Sequence, residues 1–181
     1  MCIGRDFMNT PILETERLIL RPLTMEDAQN AFDRWTSDER VAKYMIWTVH
    51  KSIDETKEWL KLASETVNCD TKYDWGIVEK DSGYLFGSCG IYFKEDIGLY
   101  EIGYGIMHDH WNKGYTTEAA KAMIDFARNN LNVKQLYAQH HVDNPASGRV
   151  MMKNGFVPSG YGNLTRFDGT VRKTRTYILN L

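Results

Sequence analysis

The sequence is poor in cysteine: Cys2, Cys69 and Cys89 are odd in number, far apart and never spaced C-x-x-C. That pattern argues against a disulfide framework and against a zinc site, and it fits a reducing compartment. No apolar run is long enough to cross a bilayer, and the opening MCIGRDFMNT has no continuous hydrophobic stretch of the kind a secretory signal needs. A soluble, cytoplasmic protein without membrane contact is expected. Charge of one sign is not in excess either, since 22 Lys and Arg face 24 Asp and Glu. Direct nucleic-acid binding, which needs a concentrated basic surface, is therefore not expected. Repeats, low-complexity tracts and Pro/Gly/Ser-rich linkers are missing, so residues 11–181 read as one domain behind a flexible tail at 1–10, with Met8 an alternative start. A hydrophobic content of 43% is enough for that domain to bury a core.

What is present is a clear alternation of elements. RLILRPL (17–23) reads as a strand, and Thr24 with Asp27 resembles a capping box ahead of a helix through Ala28, Ala31, Phe32 and Trp35. Ser52 and Glu55 repeat that signature before Trp59, Leu60, Ala63 and Val67, spaced as one face of a helix. From about Tyr73 to Met107, three strand-like runs are broken by DSG and DIG, which predicts an antiparallel meander. A helix from Gly114 onward, a strand QLYAQHHV, a short helix ending at Gly155 and two strands around the turn Phe167 to Gly169 complete the chain. The sum is an α/β domain: a mixed, mostly antiparallel sheet of about seven strands with helices on both faces.

The stretch HWNKGYTTEAAKAMIDFA (110–127) carries the first hint of chemistry. Ala119, Ala122, Met123, Phe126 and Ala127 recur at helical spacing, so Gly114 opens a helix. The unpaired N–H groups and dipole of a helix start attract phosphate oxygens wherever the backbone can come close. Lys113, Gly114, Tyr115, Thr116 and Thr117 would form such a cradle, with the alternative that Gly114 is a turn residue and Thr116 or Thr117 an ordinary N-cap. A Walker loop is absent, and GYGIMH (103–108) lacks the third glycine of a dinucleotide fingerprint.

EIGYGIMHDHWNKGYTTEAA followed by DNPASGRVMMKNGF resembles the GCN5-related N-acetyltransferase family. The strand ETERLILRPLTMEDA (14–28) is similar to the opening of its ribosomal-protein N-terminal acetyltransferase branch, of the RimJ and RimL type. The resemblance spans nearly the whole chain. It implies a domain that holds acetyl-coenzyme A in a cleft between two splayed parallel strands and passes the acetyl group to an amine, without a metal. It also implies that Ile106 and Met107 offer backbone groups to the pantetheine arm, that the loop at 113–117 holds the pyrophosphate, and that Asn144 bonds the pantetheine or shapes the cleft. In the family's loop pattern Q/R-x-x-G-x-G/A the matching residues are Trp111, Gly114 and Thr116, so the first position here has no guanidinium or amide.

Acetyl transfer requires an amine without its extra proton and a stabilised thiolate. Glu101, inside the apolar run LYEIGYGI, is the candidate base, because desolvation raises a carboxyl pKa; the competing reading is a carboxylate facing solvent or paired to Lys or Arg. Alternation puts Glu101 on one face with Gly103 and Gly105, which suggests open space beside it. The family's usual thiolate-protonating tyrosine falls at Met151, and the resemblance offers Ser147 instead, which could equally cap the helix after Pro145. Tyr44 and Trp47 read as packing residues, although the resemblance puts them on the acceptor side. The His108/His110 and His140/His141 pairs lack a third metal ligand at a recognisable spacing.

The expected activity is acetyl-coenzyme A-dependent N-acetylation of a primary amine: a protein N-terminus, perhaps ribosomal, or a polyamine, amino acid or aminoglycoside. A non-catalytic acyl-coenzyme A sensor is the competing class and an RNA-associated protein a third, with the chain a monomer or homodimer.

Overall fold

The computed structural model describes residues 10–65 and 70–181. Cys2, Met8, Val67 and Cys69 lie outside them, as does the expected tail apart from Thr10, which is buried. Among the described residues, eight strands form one open sheet in the order β1-β2-β3-β4-β5-β6-β8-β7. These are β1 (Leu13–Glu14), β2 (Leu18–Arg21), β3 (Lys72–Glu79), β4 (Tyr84–Lys94), β5 (Leu99–Ile106), β6 (Gln135–His141), β7 (Val157–Thr165) and β8 (Val171–Asn180). All neighbours are antiparallel except β5 and β6. The strand beyond the expected seven is β1, whose two residues are too short to show an alternation.

Helices α1 (Ala28–Ala31), α2 (Glu39–Ala42) and α3 (Ile53–Glu65) lie on one face, and α4 (Tyr115–Asn130) and α5 (Pro145–Lys153) on the other. The sheet's alternation divides the core accordingly. Tyr73, Trp75 and Ile77 point to α4, where Phe126 meets the Tyr73 and Trp75 rings edge-on at centroid distances of 5.0 and 5.4 Å. Small Ala119, Ala120 and Ala127 let the helix settle close, and burying each large apolar side chain there contributes about 1.5–3 kcal/mol. A second cluster, with Leu23, Ala31, Trp35, Leu60 and Leu85, fills the space beneath α1 and α3.

The first helix is less regular than its sequence pattern. The Thr24–Asp27 box forms, with Thr24 N–H donating to Asp27 Oδ2 at 2.8 Å. A single 3-10 turn, Met25–Asp27, and then α1 are followed by a π-helical stretch, Phe32–Thr36. The Thr36 and Ser37 hydroxyls donate to the carbonyls of Ala31 and Phe32, each five residues back. Such side-chain bonds compete with the regular helical ladder.

Candidate active site

The one parallel junction in the sheet is where it opens. β5 and β6 pair only at Tyr100↔Leu136 and Glu101↔Tyr137, then diverge. Each stays fully zipped on its outer side, β5 to β4 through eight residue pairs and β6 to β8 through seven. Met107 N–H donates to Phe86 O at 2.8 Å, so the alternation of an antiparallel ladder turns the backbone groups of Tyr104 and Ile106 into the gap. Trp111 Nε1 reaches back to the Ile106 carbonyl at 2.9 Å and ties the loop to the strand end. Backbone polar groups in such a place need partners, so the gap suits a chain that carries amides of its own.

Below the gap, α4 begins at Gly114, whose φ of 84° lies in the left-handed region that favours glycine. The first intrahelical bond runs from Glu118 N–H to Gly114 O at 3.1 Å, which leaves the N–H groups of Tyr115, Thr116 and Thr117 without helical partners. Lys113 and Gly114 are exposed and the three helical residues half-buried. On the same face α5 starts with Asn144 as its N-cap, accepting from Ser147 N–H at 3.4 Å. The Ser147 hydroxyl lies 3.1 Å from the Tyr104 hydroxyl, which also donates to the Ser147 carbonyl at 3.1 Å. Burial pushes the Tyr104 hydroxyl well above the ordinary tyrosine pKa, so it keeps its proton at neutral pH.

The other face of the same gap carries Glu101, Gln139, His141 and Tyr92. Burial raises the Glu101 pKa, and a hydrogen bond from the Gln139 amide opposes that rise. Gln139 is itself oriented, because Thr174 Oγ1 donates to its Oε1 at 2.8 Å. Tyr44 packs on His141 with ring centroids 5.3 Å apart. The tip of the β7–β8 hairpin closes over this face: Phe167 N–H donates to Ile46 O at 3.0 Å and Arg166 Nη2 to Trp47 O at 2.8 Å.

A match to the family model of the acetyltransferase (GNAT) domain covers residues 17–157. The chain belongs to the GNAT acetyltransferase family. It is an N-acetyltransferase. It is 31% identical over 168 residues to the uncharacterized N-acetyltransferase YoaA of Bacillus subtilis, covering 89% of this chain and 94% of that one. Its fold matches a ribosomal L7/L12 α-N-protein acetyltransferase in complex with coenzyme A, with a TM-score of 0.80 and 17% identity over 94% of this chain and 98% of the other. It also matches a spermidine N-acetyltransferase from Vibrio cholerae in complex with coenzyme A and spermine, with a TM-score of 0.74 and 18% identity over 92% and 96%.

The acetyltransferase brings most of the residues expected from its sequence to the gap, on its two sides: Ile106, the 113–117 loop, Asn144 and Ser147 on the α4–α5 side, Glu101 and Tyr44 on the other. Three expectations need correction. Met107 has both backbone groups engaged, its N–H by Phe86 and its carbonyl by His110 N–H at 3.1 Å. The Trp47 ring packs against the second core cluster and against His50, at 5.6 Å, and only its carbonyl joins the roof. The space beside Glu101 is filled: a Cβ on Gly90 would stand 2.2 Å from the Tyr92 hydroxyl and one on Gly105 2.8 Å from Met45 Cε. The glycines make room for these two side chains, and the Tyr92 hydroxyl continues to Asp74 Oδ1 at 2.6 Å. Sequence reasoning missed Tyr104, Gln139 and Thr174; alternation along β5 and β6 signalled their faces, but not who would meet them. Among the described residues no cluster of three His, Cys, Asp or Glu side chains could hold a metal. None of the helices there is long and apolar enough to cross a membrane.

Proposed function

We propose that this acetyltransferase uses acetyl-coenzyme A as donor and acetylates a primary amine, with the N-terminus of a protein or peptide as the first acceptor class. The observation that carries the reading is the division of the polar groups between the two sides of one gap. On the α4–α5 side the free N–H groups of Tyr115, Thr116 and Thr117 suit a pyrophosphate, and the Tyr104 backbone with the Ile106 N–H, whose own carbonyl is held by Trp111, suits the amides of a pantetheine arm. Acetyl-coenzyme A would supply the activated thioester there. Glu101, on the opposite side, accepts the proton that the attacking amine must lose, directly or through water, and burial shifts its pKa upward, the direction that makes the carboxylate a stronger base. Ser147, backed by the protonated Tyr104, donates to the departing thiolate.

The acceptor class follows from charge and width. Asp74, on β3 beside Tyr92, is matched by Lys72 Nζ at 3.1 Å, and Glu101 is the carboxylate most deeply set beside the gap, with Asp96 and Asp143 farther out. A polyamine would be favoured by a cluster of unmatched carboxylates at the gap itself. The roof made by Arg166 and Phe167 over residues 42–47 suits a slender acceptor. A ribosomal protein is the specific partner that the relatives' names suggest, and the cytoplasm the matching compartment.

The test is thiol release from acetyl-coenzyme A with peptides bearing Ser, Ala or Thr N-termini, polyamines, amino acids and aminoglycosides. Release with peptides above the other amines is the expected result. Release with polyamines alone would overturn the acceptor assignment, and no binding of acetyl-coenzyme A at all would overturn the donor.

A further inference from the structure

The segment ahead of β2 makes a dense set of contacts with a loop about a hundred residues away. Thr15 Oγ1 donates to Glu118 Oε1 at 2.6 Å, and Arg17 N–H donates to the same oxygen at 2.8 Å. The Arg17 guanidinium then takes the other oxygen, with Nε and Nη2 each 2.7 Å from Glu118 Oε2. Its third nitrogen, Nη1, donates to the Lys113 carbonyl at 3.1 Å. The same planar group lies 4.5 Å over the Tyr115 ring, and its Nη2 stands 3.4 Å from where a Cβ on Gly114 would be. One arginine thus bonds to or stacks on three of the six residues from Lys113 to Glu118 and fills the space beside a fourth, Gly114.

Two further contacts pin this turn. The Tyr115 hydroxyl donates to the Glu79 carboxylate at the end of β3, and Asn154 Nδ2, just past α5, donates to the Thr117 carbonyl at 3.2 Å. Every one of these contacts uses a carbonyl or a side chain of the first turn. None uses the N–H groups of Tyr115, Thr116 or Thr117. The charge of Arg17 is met by Glu118, whose carboxyl lies below its usual range: burial would raise it, but the bonds from Thr15 and Arg17 more than offset that. Arg17 is therefore built into the wall behind the cradle and is matched in charge before any phosphate arrives.

We propose that Arg17 and Glu118 are positioning residues for the donor's pyrophosphate: they hold the Gly114 loop and the first turn of α4 in the shape that presents three N–H groups together. This rests on the acetyl-coenzyme A reading above. A loop fixed in advance binds without the cost of ordering it, so the pair contributes to donor affinity although neither side chain needs to touch phosphate.

The test compares two donors, acetyl-coenzyme A and acetyl-pantetheine, which lacks the pyrophosphate, with one peptide acceptor. Arg17→Met and, separately, Glu118→Gln should each raise KM for acetyl-coenzyme A about tenfold. KM for acetyl-pantetheine and for the peptide should stay within about twofold, with kcat unchanged. Arg17→Lys keeps the positive charge but loses the fork, and it should behave like Arg17→Met. Equal weakening of both donors would mark a general structural role and overturn the proposal. So would unchanged KM in every variant, or full rescue by Arg17→Lys, which would assign the effect to charge alone. If the unmodified protein fails to bind acetyl-coenzyme A, the donor reading falls and this proposal with it; if it binds and the variants bind equally well, only this proposal falls.

Discussion

The two sides of the strand gap are built differently. On the α4–α5 side, where we propose that the donor binds, the cradle is made of backbone N–H groups, held by a helix start, a left-handed glycine and hydrogen bonds from three separate segments, with the Ser147 and Tyr104 hydroxyls beside it. On the Glu101 side they are side chains: Glu101 from β5, Gln139 from β6, Tyr92 from β4 and Met45 from the loop after α2. A backbone site recognises groups that every donor molecule shares. A side-chain site changes with each substitution, which is how relatives with this fold come to be named for a ribosomal protein in one case and for spermidine in another.

The largest break in this comparison is Glu101→Gln. Loss of a general base should lower kcat about 10²–10⁴-fold with the preferred amine while donor affinity holds, as direct binding of acetyl-coenzyme A would report. The same variant should be more stable than the parent at neutral pH. Burial raises the Glu101 pKa in the folded state, so the stability of the neutral form is present below the ordinary glutamate range and lost as pH rises through the folded value. A thermal melt at pH 7 should therefore show a higher Tm for the less active protein. An unchanged rate would remove Glu101 from the base's role.

On the donor side the expected effects are smaller. Ser147→Ala and Tyr104→Phe should each lower kcat by about tenfold or less, because a thiol is already a good leaving group. The two hydroxyls are 3.1 Å apart, and if they serve the thiolate as a hydrogen-bonded pair, as proposed, the double variant should be scarcely worse than either single one. Multiplying losses in kcat would show that the hydroxyls act separately.

The sequence is more informative on the α4–α5 side, the proposed donor side, for a physical reason. A helix start with its glycine is local chemistry, contained within a few residues, and HWNKGYTTEAA followed by DNPAS carried it in plain view. The strand rhythm was equally local, and β3 to β5 fall where the DSG and DIG breaks put them. What could not be read is what depends on distant partners. That Tyr92 would lie across Gly90 and Gly103, that Met45 would cover Gly105, and that Arg17 would reach Glu118 are all settled by sheet register and helix docking. Glu101 was recognisable as a carboxylate in an apolar run, but its Gln139 and Thr174 neighbours come from β6 and β8.

That last chain gives the smallest and sharpest expected effect. Thr174 is fully buried, and its hydroxyl holds the Gln139 carbonyl oxygen, which leaves the amide NH2 to face Glu101. A donor to a carboxylate favours the charged form and opposes the effect of burial. Gln139→Leu removes that opposition, so the Glu101 pKa should rise further and the acidic limb of kcat/KM against pH should move to higher pH. Well above the limb, where Glu101 is ionised in both proteins, the rates should converge. Thr174→Val leaves the amide in place but frees it to turn, and should move the limb the same way by less. A limb that stays put in both variants would mean that Gln139 does not control this carboxylate; a rate lost equally at every pH would mean that Gln139 shapes the acceptor site and leaves the titration of Glu101 alone.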